Sequence, residues 1–264
     1  MRLALKIAYD GTLYHGFARQ PGIETIEGAL EKNLREMGAI GSGEHLQVAS
    51  RTDKGVSAAG NVVAFNTDMD SNSVVNALVH TLKGIWVVGF AEAPDDFNPR
   101  HASKKKYRYY LYNDGIDTAA LKEAINLFVG EHDFTNFARL DGRNPVRKIL
   151  KAKVSGSRIL KIDFEGKSFL WNQVRRMVAA AEKAGRGEIS IGELENAING
   201  KSKINFGISP PENLLLVNLY YKKTLKFRGV EETGKFASEM AKKLEVKMAM
   251  SKDMVHVCKL PLTK

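Results

Sequence analysis

A single cysteine, Cys258, stands in 264 residues. No internal disulfide can form from it, and no Cys-x-x-Cys pair is present to hold zinc. No stretch approaches the ~20 consecutive apolar residues that cross a bilayer, and Arg2 and Lys6 interrupt residues 1–9 before a signal-peptide core can build up. Membrane insertion and export are therefore not expected, and a reduced, cytoplasmic setting is. A phosphate-binding loop is missing too. The Gly-Lys-Ser tripeptides at Gly166 and Gly200 have Lys161 and Glu195 where the leading glycine belongs. Gly38, Gly41 and Gly43 follow a predicted helix where a dinucleotide turn needs a strand. His132-Asp133 finds no ligand-spaced partners among the other histidines. Neither a nucleotide cofactor nor a metal is expected.

Negative charge is the scarcer sign. With 40 Lys+Arg against 30 Asp+Glu the net charge is +10, which suits a polyanionic partner. The basic residues gather in Lys104, Lys105 and Lys106 beside Tyr107 and Arg108, in Arg143, Arg147 and Lys148, and in Arg175 and Arg176. Cations interleaved with aromatics fit phosphate contact combined with base stacking.

Hydrophobic content of 44% is enough for a folded core, and its periodicity predicts one pattern twice. Strand 2–9, helix 24–37, strands 45–50 and 61–65, helix 71–82 and strand 85–92 make a β-α-β-β-α-β order. Strand 104–112, helix 117–129, strands 146–154 and 158–164, helix 169–184 and strand 214–221 repeat it. The fold class is thus α+β, with two tandem ferredoxin-like units joined edge to edge in a largely antiparallel sheet flanked by helices, and a cleft at their seam. Residues 1–103 form the first unit and 104–221 the second, which carries an insertion at 131–144. The tail, 222–264, adds an amphipathic helix through Phe236, Met240 and Leu244, then strand-like stretches at 246–250 and 255–258.

Between two predicted strands of the first unit runs Ser50-Arg51-Thr52-Asp53-Lys54-Gly55-Val56-Ser57-Ala58. Arg51 and Asp53 share a face in extended geometry, and two flanking cations favour the ionised carboxylate. Such a group serves as a nucleophile or as an anion that stabilises positive charge; a salt-bridged turn carboxylate is the plainer alternative.

This loop resembles the catalytic loop of the TruA family of transfer-RNA pseudouridine synthases, and it does not stand alone. Asp10-Gly11-Thr12-Leu13-Tyr14-His15-Gly16-Phe17, Thr25-Ile26-Glu27-Gly28-Ala29-Leu30, Phe97-Asn98-Pro99-Arg100-His101-Ala102 with Tyr107-Arg108-Tyr109, His132-Asp133-Phe134-Thr135-Asn136-Phe137, Phe169-Leu170-Trp171-Asn172-Gln173-Val174-Arg175-Arg176-Met177 and Pro210-Pro211-Glu212-Asn213-Leu214 resemble the family's blocks in the family's order. Ser50, Ser57 and Phe17 replace a usual Gly, His and Trp of the bacterial pattern and look more like archaeal and eukaryotic relatives.

The resemblance implies isomerisation of uridine to pseudouridine in transfer RNA, in the anticodon stem-loop at positions 38–40, by a cofactor-free homodimer. It implies Asp53 as nucleophile or electrostatic catalyst, Tyr107 packed on the base, Arg175 reaching across the seam to Asp53, and Arg51 supporting the displaced nucleotide. Lys54, Lys104, Lys105, Lys106, Arg143, Arg147 and Lys148 are the candidate RNA contacts. By residue pattern alone Tyr107 also reads as strand core and Arg175 as a solvated helix residue. Attack by Asp53 at C1′, attack at C6 and a glycal route all remain open. The rival class is an inert RNA-binding protein on the same fold, although Asp53 between two cations would repel phosphate there. A metal-dependent nuclease has only Asp95-Asp96 to offer.

Overall fold

The computed structural model describes residues 1–222 and 225–258; residues 223–224 and 259–264 of the tail lie outside the described residues. The first half begins with β1 (Arg2–Tyr9), whose Leu3, Leu5 and Ile7 are fully buried. In α1 (Ile26–Glu36) the side chain of Thr25 accepts the Gly28 N–H at 3.2 Å, and Ile26, Leu30 and Leu34 turn one apolar face to the sheet. Then come β2 (Gln47–Val48), β3 (Ser57–Asn66), α2 (Ser71–Thr81), started by Asp70 accepting from the Ser73 N–H at 2.9 Å, and β4 (Ile85–Ala93).

The second half repeats the order with β5 (Lys104–Tyr112), α3 (Thr118–Leu127), β7 (Val146–Ser155), β8 (Ile159–Gly166), α4 (Gln173–Gly185) and β9 (Leu214–Tyr220). Two further elements interrupt it, β6 (Gly130–Asp133) and α5 (Ile191–Ile198).

The strands join in one sheet, ordered β4-β1-β3-β9-β5-β8-β7-β6, with β2 on β3. Each half places its strands in the same sequence: fourth, first, third, second. Neighbours pair antiparallel throughout except at the junction of the halves, where Ser57 and Ala58 of β3 lie parallel to Leu215 and Leu216 of β9. The expected α+β class and largely antiparallel sheet are what forms.

Several local expectations are corrected. Helix 169–184 begins only at Gln173, because Asn172 adopts the left-handed region at φ 62° and the Gln173 side chain accepts the Leu170 N–H at 2.8 Å. Strand 45–50 shrinks to two residues, since the segment after Val48 turns into the Asp53 loop. The strand-like stretches of the tail are helical: α6 runs from Glu231 to Cys258. Before it, β10 (Arg228–Gly229) pairs with Phe90 and Gly89 and covers the outer edge of β4. Thr233 and Phe236 hold the start of α6 there, Thr233 by a 2.8 Å hydrogen bond to the Val87 carbonyl and Phe236 by packing 5.9 Å from Trp86. Among the described residues no helix is long and apolar enough to cross a membrane.

Candidate active site

Residues 49–56 leave β2 and return into β3 at the junction of the two halves. Buried polar groups pin the loop. Asn61 donates to the Ser50 carbonyl at 2.7 Å, Thr52 and Tyr9 share a 2.8 Å hydroxyl bond, and the Thr52 carbonyl accepts the Phe17 N–H at 3.0 Å. The turn at residues 10–17 is built to lie against it. A side chain on Gly11 would sit 2.1 Å from the Val56 carbonyl oxygen, so only glycine allows that approach. Gly55, at φ +85°, turns the chain under Pro211 of the second half. The Asp10–Phe17 motif is therefore the bed on which the loop rests.

Asp53 projects from this loop with a third of its side chain exposed, and its Oδ2 lies 3.7 Å from Nη1 of Arg175 on α4. Arg175 is itself fixed, donating from Nε to the Ser209 carbonyl at 2.7 Å and from Nη1 to Asn172 at 3.3 Å. Burial holds the Asp53 carboxyl above the ordinary aspartate range; the Arg175 charge and the indole N–H of Trp171 pull it back without cancelling that effect. This corrects the expectation drawn from Arg51 and Lys54. Both point into solvent, and desolvation outweighs the cations. A carboxylate so placed is more basic than a free one and hence a better nucleophile.

Tyr107 on β5 is buried, packs edge-on against Phe169 at 5.2 Å, and shares a 3.0 Å hydrogen bond with the Ser50 hydroxyl. Burial and the nearby Asp53 charge push its phenol up to about 12, so it is protonated at neutral pH. Lys105, two residues earlier on the same face, donates to the Ala49 carbonyl at 2.9 Å and to Ser50 Oγ at 3.2 Å, and burial brings its ammonium down to about 8.

The structure thus brings together Asp53, Tyr107, Arg175 and Lys105, with Arg51 and Lys54 exposed beside them. It does not bring in Lys104 or Lys106. These lie on the opposite face of β5, Lys104 2.7 Å from Glu165 and Lys106 2.8 Å from Asp163. Arg143 forms a two-pronged pair with Asp141 at 2.7 and 2.6 Å, Arg147 donates to the Asn144 and Val146 carbonyls, and Lys148 is exposed on β7. Among the described residues no group of three or more His, Cys, Asp or Glu is placed to hold a metal.

Ser50, Lys105 and Trp171 are site residues that residue patterns did not single out for these roles. Alternation along β5 was the available signal for Lys105, since strand residues two apart share a face. Trp171 lies in the Phe169–Met177 block, but its place at the site depends on the left-handed Asn172, which no periodicity foretells. Its ring is exposed at the rim of the site, beneath the Arg139 guanidinium at 4.0 Å.

Known proteins resemble the chain over most of its length. Residues 124–222 match a family model described as tRNA pseudouridine synthase. A protein of Thermococcus sibiricus named tRNA pseudouridine synthase A is 46% identical over 248 residues, covering 92% of this chain and 91% of its own. Its namesakes in Pyrococcus horikoshii and Methanothermobacter thermautotrophicus are 42% identical (94% of this chain, 96% of theirs) and 38% identical (95% and 92%). Among solved structures, a chain of an H/ACA RNP bound to a substrate RNA superposes with a TM-score of 0.36 and 14% identity over 69% of this chain and 43% of that one, too partial a likeness to argue from. Identity of this extent across nearly the whole length is decisive: the chain belongs to the tRNA pseudouridine synthase family.

Proposed function

We propose that the chain converts uridine to pseudouridine in transfer RNA, with Asp53 as the catalytic carboxylate. The observation that carries the reading is the meeting of Asp53 from the first half with Arg175 from the second, 3.7 Å apart, beside the Tyr107 phenol. In the reaction the N1–C1′ bond breaks, the base rotates, C5 bonds to C1′, the C5 proton departs and N1 gains one. No electrons are exchanged with another molecule. Asp53 supplies the nucleophile or the negative charge at the sugar. Arg175 holds that carboxylate ionised and oriented against the desolvation that opposes it. Tyr107 packs on the flipped base, and because its phenol is protonated at neutral pH it accepts the C5 proton only by passing its own proton onward. Flipping a base from a paired stem requires cations on the backbone, which Arg51 and Lys54 supply at the rim.

The finer reading places the target uridines at positions 38–40 of the anticodon stem-loop. It takes residues 1–103 and 104–221 as the two units that flank the cleft, and the cytoplasm as the setting. It makes the working enzyme a homodimer, for which the exposed Leu244 and Met248 of α6 offer apolar surface; sedimentation at the 29.2 kDa of one chain would reject that.

Transfer RNA tritiated at C5 of uridine, incubated with the protein in the absence of added metal, tests the chemistry. Tritium release with the RNA chain intact is expected, and Asp53→Asn should lose more than about a hundredfold in rate while binding within a few-fold of wild type. Binding without release would identify an inert RNA-binding protein, and cut RNA a nuclease.

A further inference from the structure

Lys104, Lys105 and Lys106 are chemically identical and adjacent, yet only the outer two meet carboxylates. Among the described residues Lys105 has no acidic partner, and its ammonium is turned inward onto the stem of the Asp53 loop. A desolvated cation without a counter-charge is costly, and plain structural duty on this strand would be met by an apolar side chain.

The hydrogen-bond chain suggests what the charge is for. An ammonium has only donors. Lys105 Nζ therefore donates to Ser50 Oγ, at 3.2 Å, as well as to the Ala49 carbonyl, at 2.9 Å. A protonated Lys105 cannot accept, so the Ser50 hydroxyl proton is kept off Nζ; the neighbour left to receive it is the Tyr107 oxygen at 3.0 Å, in a bond where either oxygen can donate. Where Ser50 donates, the Tyr107 oxygen accepts and its own proton points away from Ser50. Because Ala49 and Ser50 lead directly into Arg51, Thr52 and Asp53, the same ammonium fixes the segment that carries the carboxylate.

Building on the pseudouridine synthase reading above, we infer that Lys105, in its protonated form, is a positioning residue of the reaction: through Ser50 it sets the proton direction at Tyr107, and through Ala49 it anchors the Asp53 loop.

The groups around Lys105 leave it little electrostatic support. β8 presents Gly166 opposite it and β9 presents Leu219, neither charged. Glu165 and Asp163 are engaged on the far face with Lys104, Lys106 and Arg108. From the loop, Ser50 is its neutral partner, and the Asp53 charge acts on Tyr107. On its own strand the facing titratable group is Tyr107, neutral near pH 8. Burial thus brings loss of the Lys105 proton into the working range, to about 8. A neutral amine can accept from Ser50, which frees the hydroxyl to turn from Tyr107, so turnover should fall as pH rises through that value.

The test measures kcat and KM for tritium release from intact transfer RNA between pH 6 and 9.5 with the full-length protein. Lys105→Met should lower kcat about tenfold or more with KM within about twofold, the pattern of lost positioning. Lys105→Arg, whose charge does not titrate here, should keep a substantial part of kcat at pH 7 and lose the alkaline fall near 8. Titration of the substrate is common to both enzymes and cancels in the ratio of their profiles. Ser50→Ala should reproduce the kcat loss, and in combination with Lys105→Met should add little. A Lys105→Met enzyme with kcat within twofold of wild type, or an alkaline limb unchanged in Lys105→Arg, overturns the inference. If Lys105→Met does not fold by circular dichroism, Ser50→Ala and the Lys105→Arg profile decide. Failure of the wild-type protein to release tritium refutes the functional reading instead, and is seen before any variant is compared.

Discussion

On the outward face of β5, Lys104, Lys106 and Arg108 each lie against a carboxylate of β8; on its inward face, Lys105 and Tyr107 share a desolvated pocket with a serine, a backbone carbonyl and the approach to Asp53. The two faces belong to the same nine-residue strand, and successive residues alternate between them. The outward cations are met by carboxylates, Lys106 and Arg108 sharing Asp163, and serve the sheet. The inward ammonium of Lys105 stands in low dielectric without a carboxylate beside it among the described residues, where a charge is worth more and costs more. A run of basic residues in a sequence thus says how many cations exist, and their strand parity says how many are free to act.

The largest effect sets the site against the outward face of β5 through two arginines that each face an aspartate, Arg175 on α4 and Arg108 on β5. Arg175→Ala should reduce kcat by about a hundredfold with a much smaller change in RNA affinity, because it removes the charge that holds Asp53 ionised. Arg175→Lys should restore only part of the rate, since an ammonium lacks the planar fork that engages Ser209 and Asn172. Arg108→Ala should leave turnover within about twofold and cost on the order of 1 kcal/mol of stability in chemical denaturation, because Asp163 keeps Lys106 as a partner. Equal losses of kcat in the two variants would erase the distinction.

A smaller effect follows from the raised Asp53 carboxyl. A carboxyl whose folded value lies above its unfolded value favours the fold in its protonated form. That contribution is present below the ordinary range near ~3.9 and is lost as pH rises through the folded value. Asp53→Asn should therefore melt at a higher temperature than wild type at pH 7, and the advantage should vanish in acid below the ordinary aspartate range. A lower melting temperature for Asp53→Asn at pH 7 would mean that the pairing with Arg175 outweighs burial.

The smallest effect is in salt dependence. Arg51→Ala and Lys54→Ala should each shallow the slope of log K against log salt by about 1, whereas Lys104→Ala and Lys106→Ala should change it by much less, since a cation already paired releases few counterions. Filter binding across a salt series reads all four.

Much of this molecule could be read from residue order. Leu3, Leu5 and Ile7 alternate as a strand must, and Ile26, Leu30 and Leu34 step around a helix; both halves carry these periods in the same succession. The Asp53 loop stood out because its charged residues fall between two such strands. What escaped has particular causes. Val246, Met248 and Met250 alternate as a strand would, but they sit among Ala, Glu, Lys and Met, strong helix formers that carry α6 straight through them. α5 carries the capping box of Ser190 and Glu193 and a helical period in Ile191, Leu194 and Ile198, but over eight residues that period is too short to stand out. The place of Trp171 beside Asp53 depends on one left-handed residue, and the partner of Lys105 is a serine 55 positions away, which no local pattern encodes.

The junction between β3 and β9 bears on how the enzyme comes to life during synthesis. β9 is the last strand of the second half, and it completes that half against β5 while making the parallel contact that brings the halves together. On a chain emerging from the ribosome, the Asp53 loop can settle on its bed while Arg175 has yet to be made. Until Arg175 is made, the carboxylate is without its counter-charge. The site is complete only once both halves have been made and β9 has closed the sheet between them.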